Sequence, residues 1–254
     1  MRDLTFYIIY HDRVYAENTA GFAESELEKY FTWVAVNEKI PKPSVTWIPG
    51  SCHLKEWEMM NYSPFYQMLH AYQNSVFFHL YMNQHLLTSK YVGFGQYDMQ
   101  INQDDFRHVA ASLANDHGEK IVGAFMYPFE ALYSSPLDKQ GWSLVIEYYN
   151  VFSGTNHKLD DMMRLPLFLM HTFIMPRWFF LHMMRCVDKI LPKILMLLNW
   201  ETRHLAGTLE RVFALCISAG ILEGKFKTVM HLKGVSHLDQ QRSSDVLRGL
   251  TASH

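Results

Sequence analysis

Residues 4 to 10 read Leu-Thr-Phe-Tyr-Ile-Ile-Tyr, an apolar run rich in aromatic and β-branched side chains, closed by His11, Asp12 and Arg13. The run lacks the alternation of a half-exposed strand, so it reads as a central strand with a polar exit. It is also too short for the apolar core of a signal peptide. A central strand needs partners and a layer packed on it, and the rest of the chain supplies candidates for both. Residues 31–39 (FTWVAVNEK) read as a second strand, with KIPKP at 39–43 as its turn. Ser63 and Pro64 form an N-cap and first-turn pair, and Phe65, Met68, Leu69, Tyr72 and Val76 then recur at helical spacing. That helix delivers the chain to a strand over 91–101. Residues 119–129 and 142–152 are further strand candidates, the second with the option of starting as a helix. The stretch 162–199 reads as mainly helical, broken near Pro166, Pro176 and Pro192. A last amphipathic helix covers 203–219 and ends at Gly220, and the tail from Asp239 is polar. Strands and helices interleave in the first half and helices dominate the second, which predicts one α/β domain with an appended helical layer.

With 254 residues, 49% of them hydrophobic, the chain fills a sizeable core. A net charge of -2 gives no long-range pull on a polyanion, so nucleic acid is excluded as the expected partner. Cys52, Cys186 and Cys216 show no C-x-x-C spacing, which argues against a zinc knuckle or a disulfide framework and for a reducing, cytoplasmic setting. The most membrane-like run, 165–184, is interrupted by two prolines, two histidines and Arg177, so it predicts at most a peripheral membrane contact.

Tyr91-Val92-Gly93-Phe94 reads as another buried strand, and it leads into Gln96, Tyr97 and Asp98. A buried carboxylate is costly unless paired, so Asp98 either caps a solvated turn or holds a cation. Residues i and i+2 of a strand project to one side, which sets Gln96 and Asp98 together and Tyr97 opposite. Open α/β sheets bind ligands at the carboxyl ends of their strands, where an acid suits Mg²⁺ or Mn²⁺ bridged to a diphosphate.

In HLKGVSH (231–237), Gly234 would let backbone approach a phosphate, while His231 and His237 either bind metal or phosphate or lie on the surface. Glu210 has Ala206, Gly207, Phe213, Ala214 and Ile217 as helical neighbours and no Lys or Arg one turn away. Such surroundings should raise a carboxyl pKa, which suits a general base. An ion pair with Arg203 or Arg211, or a solvated helix edge, would explain Glu210 equally. The loop 149–161 gathers Asn150, Thr155 and Asn156 among other hydrogen-bonding groups, enough for a polyhydroxylated ligand or simply for a polar loop.

In this order, NSVFFHLYMNQHLLTSKYVGFGQYDM (74–99), the GTN loop (154–156) and TRHLAGTLERVF (202–213) resemble the glycosyltransferases of bacterial capsular-polysaccharide clusters and large algal viruses. The resemblance covers 60–237. It implies a GT-A-like α/β fold, a mixed sheet flanked by helices with a helical C-terminal half. The whole of 1–254 would be one such domain, with 1–130 binding a nucleotide sugar, 131–238 binding the acceptor and 239–254 as a polar tail. It further implies transfer of a sugar from a nucleotide-diphosphate donor to a glycan or other hydroxyl, with Mn²⁺ or Mg²⁺. Asp98 matches the second acid of an Asp-x-Asp motif, and Gln96 stands where the first would be. His231 matches a metal-binding histidine, with Gly234 and His237 beside the phosphates. On this reading Glu210 is the base, and Tyr10 and His11 meet the nucleoside with Gln96 and Tyr97. Asn150, Thr155 and Asn156 meet the acceptor or sugar. A non-catalytic nucleotide- or sugar-binding module on the same fold is the alternative.

Overall fold

Strand β1 (Leu4–Tyr10) is buried at every position, as its unbroken apolar run predicts. This is a computed structural model, which describes residues 2–11, 14–36, 48 and 50–238; the expected turn at 39–43 and the tail from Asp239 lie outside them. Helix α1 (Glu24–Tyr30) leads into β2 (Phe31–Ala35), and β3 (His53–Lys55) follows. Next come α2 (Phe65–Met68), α3 (Asn74–Met82), β4 (Tyr91–Gln96), β5 (Met99–Ile101) and α4 (Gln103–Ala114). The second half holds β6 (Lys120–Tyr127), α5 (Lys139–Ser153), β7 (Leu167–Pro176), α6 (Arg177–Leu197) and α7 (Leu205–Leu222). Strands β8 (Thr228–His231) and β9 (Val235–His237) complete the described chain.

Seven strands form one mixed sheet in the order β3-β2-β1-β4-β7-β6-β8. The first four run parallel, and β7 is antiparallel to both of its neighbours. Alternation along β1 divides the interior into two cores. Tyr7 and Ile9 face the larger one, beneath α3, α5, α6 and α7, while Leu4, Phe6, Ile8 and Tyr10 face the smaller one with Phe31, Trp33 and Phe106. The two glycines of β4 follow from this packing. The Phe6 ring lies across the strand so closely that a Cβ on Gly93 would sit 2.4 Å from it and one on Gly95 2.8 Å.

Several elements differ from the sequence reading. Residues 142–152 lie within a helix, α5, whose N-terminus is capped by Asp138 accepting from Gly141 N–H at 2.7 Å. Its buried Trp142, Val145, Ile146 and Tyr149 follow helical rather than strand spacing. The first part of 162–199 is the strand β7, which has neighbours in the sheet on both sides and little periodicity to betray it. Helix α6 then runs through Pro192 without ending there. The helix expected from Phe65 onward is broken by His70 (φ 56°) and Tyr72 (φ 50°). Gly220 does not end α7: it packs under Phe179, and the left-handed residue is Gly224 (φ +68°). The expected 91–101 strand divides into β4 and β5, and β5 pairs with β9 in a separate two-stranded sheet. Helix α7 is apolar enough to cross a bilayer by length and composition, yet two-thirds of it is buried inside the protein.

Candidate functional site

Strands β1 and β4 run side by side with Ile9 opposite Gln96, so their carboxyl ends leave the sheet together. Beyond them the chain turns at Tyr97 and Asp98. Tyr97 N–H donates to Ile9 O at 3.0 Å, and the buried Asn18 amide donates to the carbonyls of Tyr97 (2.5 Å) and Met99 (2.6 Å). Strand β9 closes the turn from the far end of the sequence: His237 pairs with Met99, and Leu238 N–H donates to Asp98 O at 2.8 Å. This brings Asp98, only 6% exposed, beside His237.

Both side chains face a cavity of about 230 Å³, together with His11, Gln96 and Tyr97; Gln73 and Met170 form the rest of its wall. The His11 and Tyr97 rings sit 4.7 Å apart at its edge. Asp98 is the one carboxylate among the described residues that line the cavity. Among the described residues no three His, Cys, Asp or Glu side chains gather as a complete metal set. Of Asp98 and His237, the Asp98 carboxylate is the donor type that suits a hard cation such as Mg²⁺ or Mn²⁺, whereas an imidazole is a softer donor than Mg²⁺ prefers.

Met170 reaches the cavity because β7 bulges. Opposite Gly123 and Phe125 of β6 stand Phe173 and Leu169, so β7 carries two extra residues between them. Within this stretch Met170 (φ 62°) and His171 (φ 48°) are both left-handed. Left-handed backbone costs a non-glycine residue roughly 1–2 kcal/mol, so the bulge persists only if neighbours hold it. They do so from several directions. Glu210 Oε1 accepts from Met170 N–H at 2.5 Å, while Gln96 Nε2 (3.1 Å) and Thr172 Oγ1 (2.9 Å) donate to Met170 O. His171 is buried between Asn74 (2.6 Å) and Gln73 (3.4 Å). Burial holds its pKa below the ordinary value, and the Glu210 charge opposes that shift only in part.

Of the residues singled out from sequence, His11, Gln96, Tyr97, Asp98 and His237 thus meet at one cavity, and Glu210 stands behind its Met170 wall. The others lie elsewhere. Tyr10 alternates into the smaller core, where its hydroxyl bonds His53 Nε2 and burial pushes its pKa up. His231 is on β8 and does not line the cavity; its Nε2–H donates to Ala124 O at 3.0 Å. The close approach that Gly234 permits is to Asn102 and Asp105 at the start of α4, where a Cβ would fall 2.2 Å from Asn102 Cβ. Asn150 closes its own loop: its Oδ1 accepts from Thr155 Oγ1 (2.8 Å) and His157 N–H (3.0 Å), and Asn156 is exposed beside them. Sequence reasoning passed over Gln73 and Met170. Gln73 lies at the helix break, and nothing in the pattern around Met170 announces a left-handed bulge.

No protein-family model matches the chain, and no curated protein is significantly similar. Among solved structures, the chain is similar to the WbbM bifunctional glycosyltransferase in its apo form. The TM-score is 0.60 and the identity 12%, and the match covers 94% of this chain and 46% of that one. The chain therefore spans about half of that protein's length. At this identity the likeness establishes the fold, a GT-A-like mixed α/β sheet flanked by helices.

Proposed function

We propose that the protein is a glycosyltransferase that moves a sugar from a nucleotide-diphosphate donor to a hydroxyl of a glycan acceptor. One observation carries this reading: a buried acid, two imidazoles and two glutamine amides face a single cavity at the carboxyl ends of β1 and β4. The fold shared with a glycosyltransferase supports it. The cavity is smaller than the roughly 300–1,000 Å³ of sites that enclose a drug-sized ligand. It suits the diphosphate and sugar portion of a donor rather than the whole.

Asp98 and His237 are the side chains that would hold Mn²⁺ or Mg²⁺, whose charge, when bound, offsets the negative charge growing on the departing diphosphate. His237 takes this place rather than His231, because it is the imidazole that shares the cavity with Asp98. His11 and Tyr97 form the edge against which a nucleoside would rest. Gln96 and Gln73 offer amides to phosphate or sugar oxygens. Glu210 is the acid we assign to take the acceptor proton, acting from behind the Met170 wall rather than from the cavity lining. Its Oε1 is oriented by Met170 N–H, and a positioned base contributes on the order of 10²–10⁴-fold. The tilt of Gln96 toward Met170 O favours one competing reading, a nucleotide-sugar-binding module without chemistry, since that amide replaces a first acid.

The decisive experiment is a panel of nucleotide sugars screened for Mn²⁺-dependent thermal stabilisation and for sugar transfer or hydrolysis. A ligand at about 100 times its Kd should stabilise the native state by about 2.7 kcal/mol. The Asp98→Asn variant should lose the Mn²⁺-dependent part. Stabilisation that survives in Asp98→Asn refutes the metal role, and stabilisation without turnover leaves the binding module.

A further inference from the structure

Away from the cavity, α5 and α6 frame an open groove of about 620 Å³. Helix α6 contributes Arg185, Lys189 and Lys193, all exposed and spaced four residues apart, which sets them in a row on one helix face. Helix α5 contributes Tyr148 and Phe152 as the facing wall. Lys189 Nζ lies 5.6 Å from the Phe152 ring centroid and Lys193 Nζ 5.9 Å from that of Tyr148. The rings anchor the ammonium groups, and the ammonium groups occupy ring faces that could otherwise stack on a sugar.

Among the described residues, no Asp or Glu lines this groove. Asp188, the one acid of α6, does not line the groove; its charge acts on the Tyr66 hydroxyl, whose pKa burial raises and Asp188 helps to raise. Three full positive charges therefore share a face in a chain whose net charge is -2. Apolar side chains stand in water beside them. Val151 on the rim is 87% exposed, Met196 on the next turn after Lys193 is 58% exposed, and Trp200 where the helix closes is 61% exposed.

We propose that this face docks the protein on the surface of an anionic lipid bilayer. The row of cations sets the sign of the partner. The apolar tips select a bilayer over a polyanion in solution, because a lipid interface accepts Val, Met and Trp side chains among its headgroups while it pairs with Lys and Arg. The membrane contact expected over 165–184 has little surface to use: Leu167–Pro176 is sheet interior, and Phe179, Phe180, Met183 and Met184 at the start of α6 are buried, which leaves Trp178 as the exposed large apolar side chain there. The inference rests on this surface alone and stands whether or not the cavity transfers a sugar.

Flotation of the full chain with phosphatidylcholine vesicles containing about one-third phosphatidylglycerol tests it. The chain should float with them, should not float with pure phosphatidylcholine, and should be released by high salt. Lys189→Gln with Lys193→Gln should weaken partitioning about five-fold per charge, roughly 25-fold together, with melting temperature and nucleotide-sugar binding unchanged. Met196→Ser with Trp200→Ser should weaken it while the salt dependence persists. Failure to float, equal flotation on pure phosphatidylcholine, or flotation indifferent to the lysine pair overturns the proposal. So does capture of soluble polyphosphate without any vesicle binding.

Discussion

Asn74 determines the state of the histidine beside it. Its Nδ2 donates to the carbonyls of Ala71 (2.9 Å) and Ala206 (3.2 Å), so its Oδ1 must face His171 and accept from Nε2–H. His171 Nδ1 is then the acceptor for the Gln73 amide, and the ring is neutral, as its depressed pKa requires. The unfolded chain takes up a proton near pH 6.5 that the folded chain refuses. Stability contributed by this site is therefore present above about pH 6.5 and falls as the pH drops toward the lower folded value. Urea denaturation at pH 7.5 and pH 5.5 should show this fall, and His171→Gln should flatten it; an unchanged slope would mean other groups dominate. Glu210 allows a similar separation. In Glu210→Gln the amide oxygen still accepts from Met170 N–H, so fold and donor affinity should persist while transfer drops about 10²–10⁴-fold. Glu210→Ala also abandons that N–H and should cost about 1–2 kcal/mol of stability in addition. A fully active Gln variant would reduce Glu210 to a brace for the bulge. At this scale the sequence exposes groups at strand ends, His11, Gln96, Tyr97 and Asp98, because a polar residue ending an apolar run stands out. It places His237 poorly, since that residue joins the site through pairing with β5 from 138 positions away.

Strand β7 shows why whole elements were harder to read than residues. An amphipathic strand or helix reveals its period because one side meets water, whereas Leu167–Pro176 is buried at all but one position. Its prolines at 166 and 176 then look like helix breaks when they bracket a strand. Helix α5 was obscured differently: Val145, Ile146 and the aromatics around them are strand formers by propensity, overridden by the Asp138 cap and a helical apolar face. The bulge in β7 is the element on which the cavity wall depends, and its left-handed residues lend it a test. A β-branched side chain tolerates positive φ least. Met170→Ile should therefore lower stability by about 1–2 kcal/mol in urea denaturation, while Met170→Gly should be close to neutral. If Ile is tolerated without loss, the turn at Met170 is not left-handed and the account of how Glu210 and Gln96 hold it fails.

Across the whole molecule, the cavity depends on the smaller core, which it meets at Tyr97. Phe6, Phe22, Phe31 and Phe106 interlock beneath the far face of the sheet, with Phe31 and Phe106 stacked at 4.9 Å and Phe6 edge-on to both. Phe6 is the member that reaches the site-bearing strands, since it sits on β1 and its ring lies across Gly93 and Gly95 of β4. The sheet can bring the ends of β1 and β4 together only because those two positions have no side chain on that face. Gly93→Ala places a methyl 2.4 Å from Cδ2 of that ring, with Ile174 Cγ1 at 3.0 Å. Neither strand backbone nor packed ring can yield freely, so overpacking should cost about 1–3 kcal/mol. The strain falls on the β1–β4 pairing that sets Ile9 beside Gln96, so donor binding should weaken along with stability. Phe6→Leu opens a void when made alone, yet it removes the ring atoms that the new methyl meets. The double variant should therefore be more stable than the two single losses predict, by at least 0.5 kcal/mol in a double-mutant cycle. Strict additivity would mean that the glycines of YVGFG serve something other than this ring, and that the smaller core does not set the geometry of the cavity.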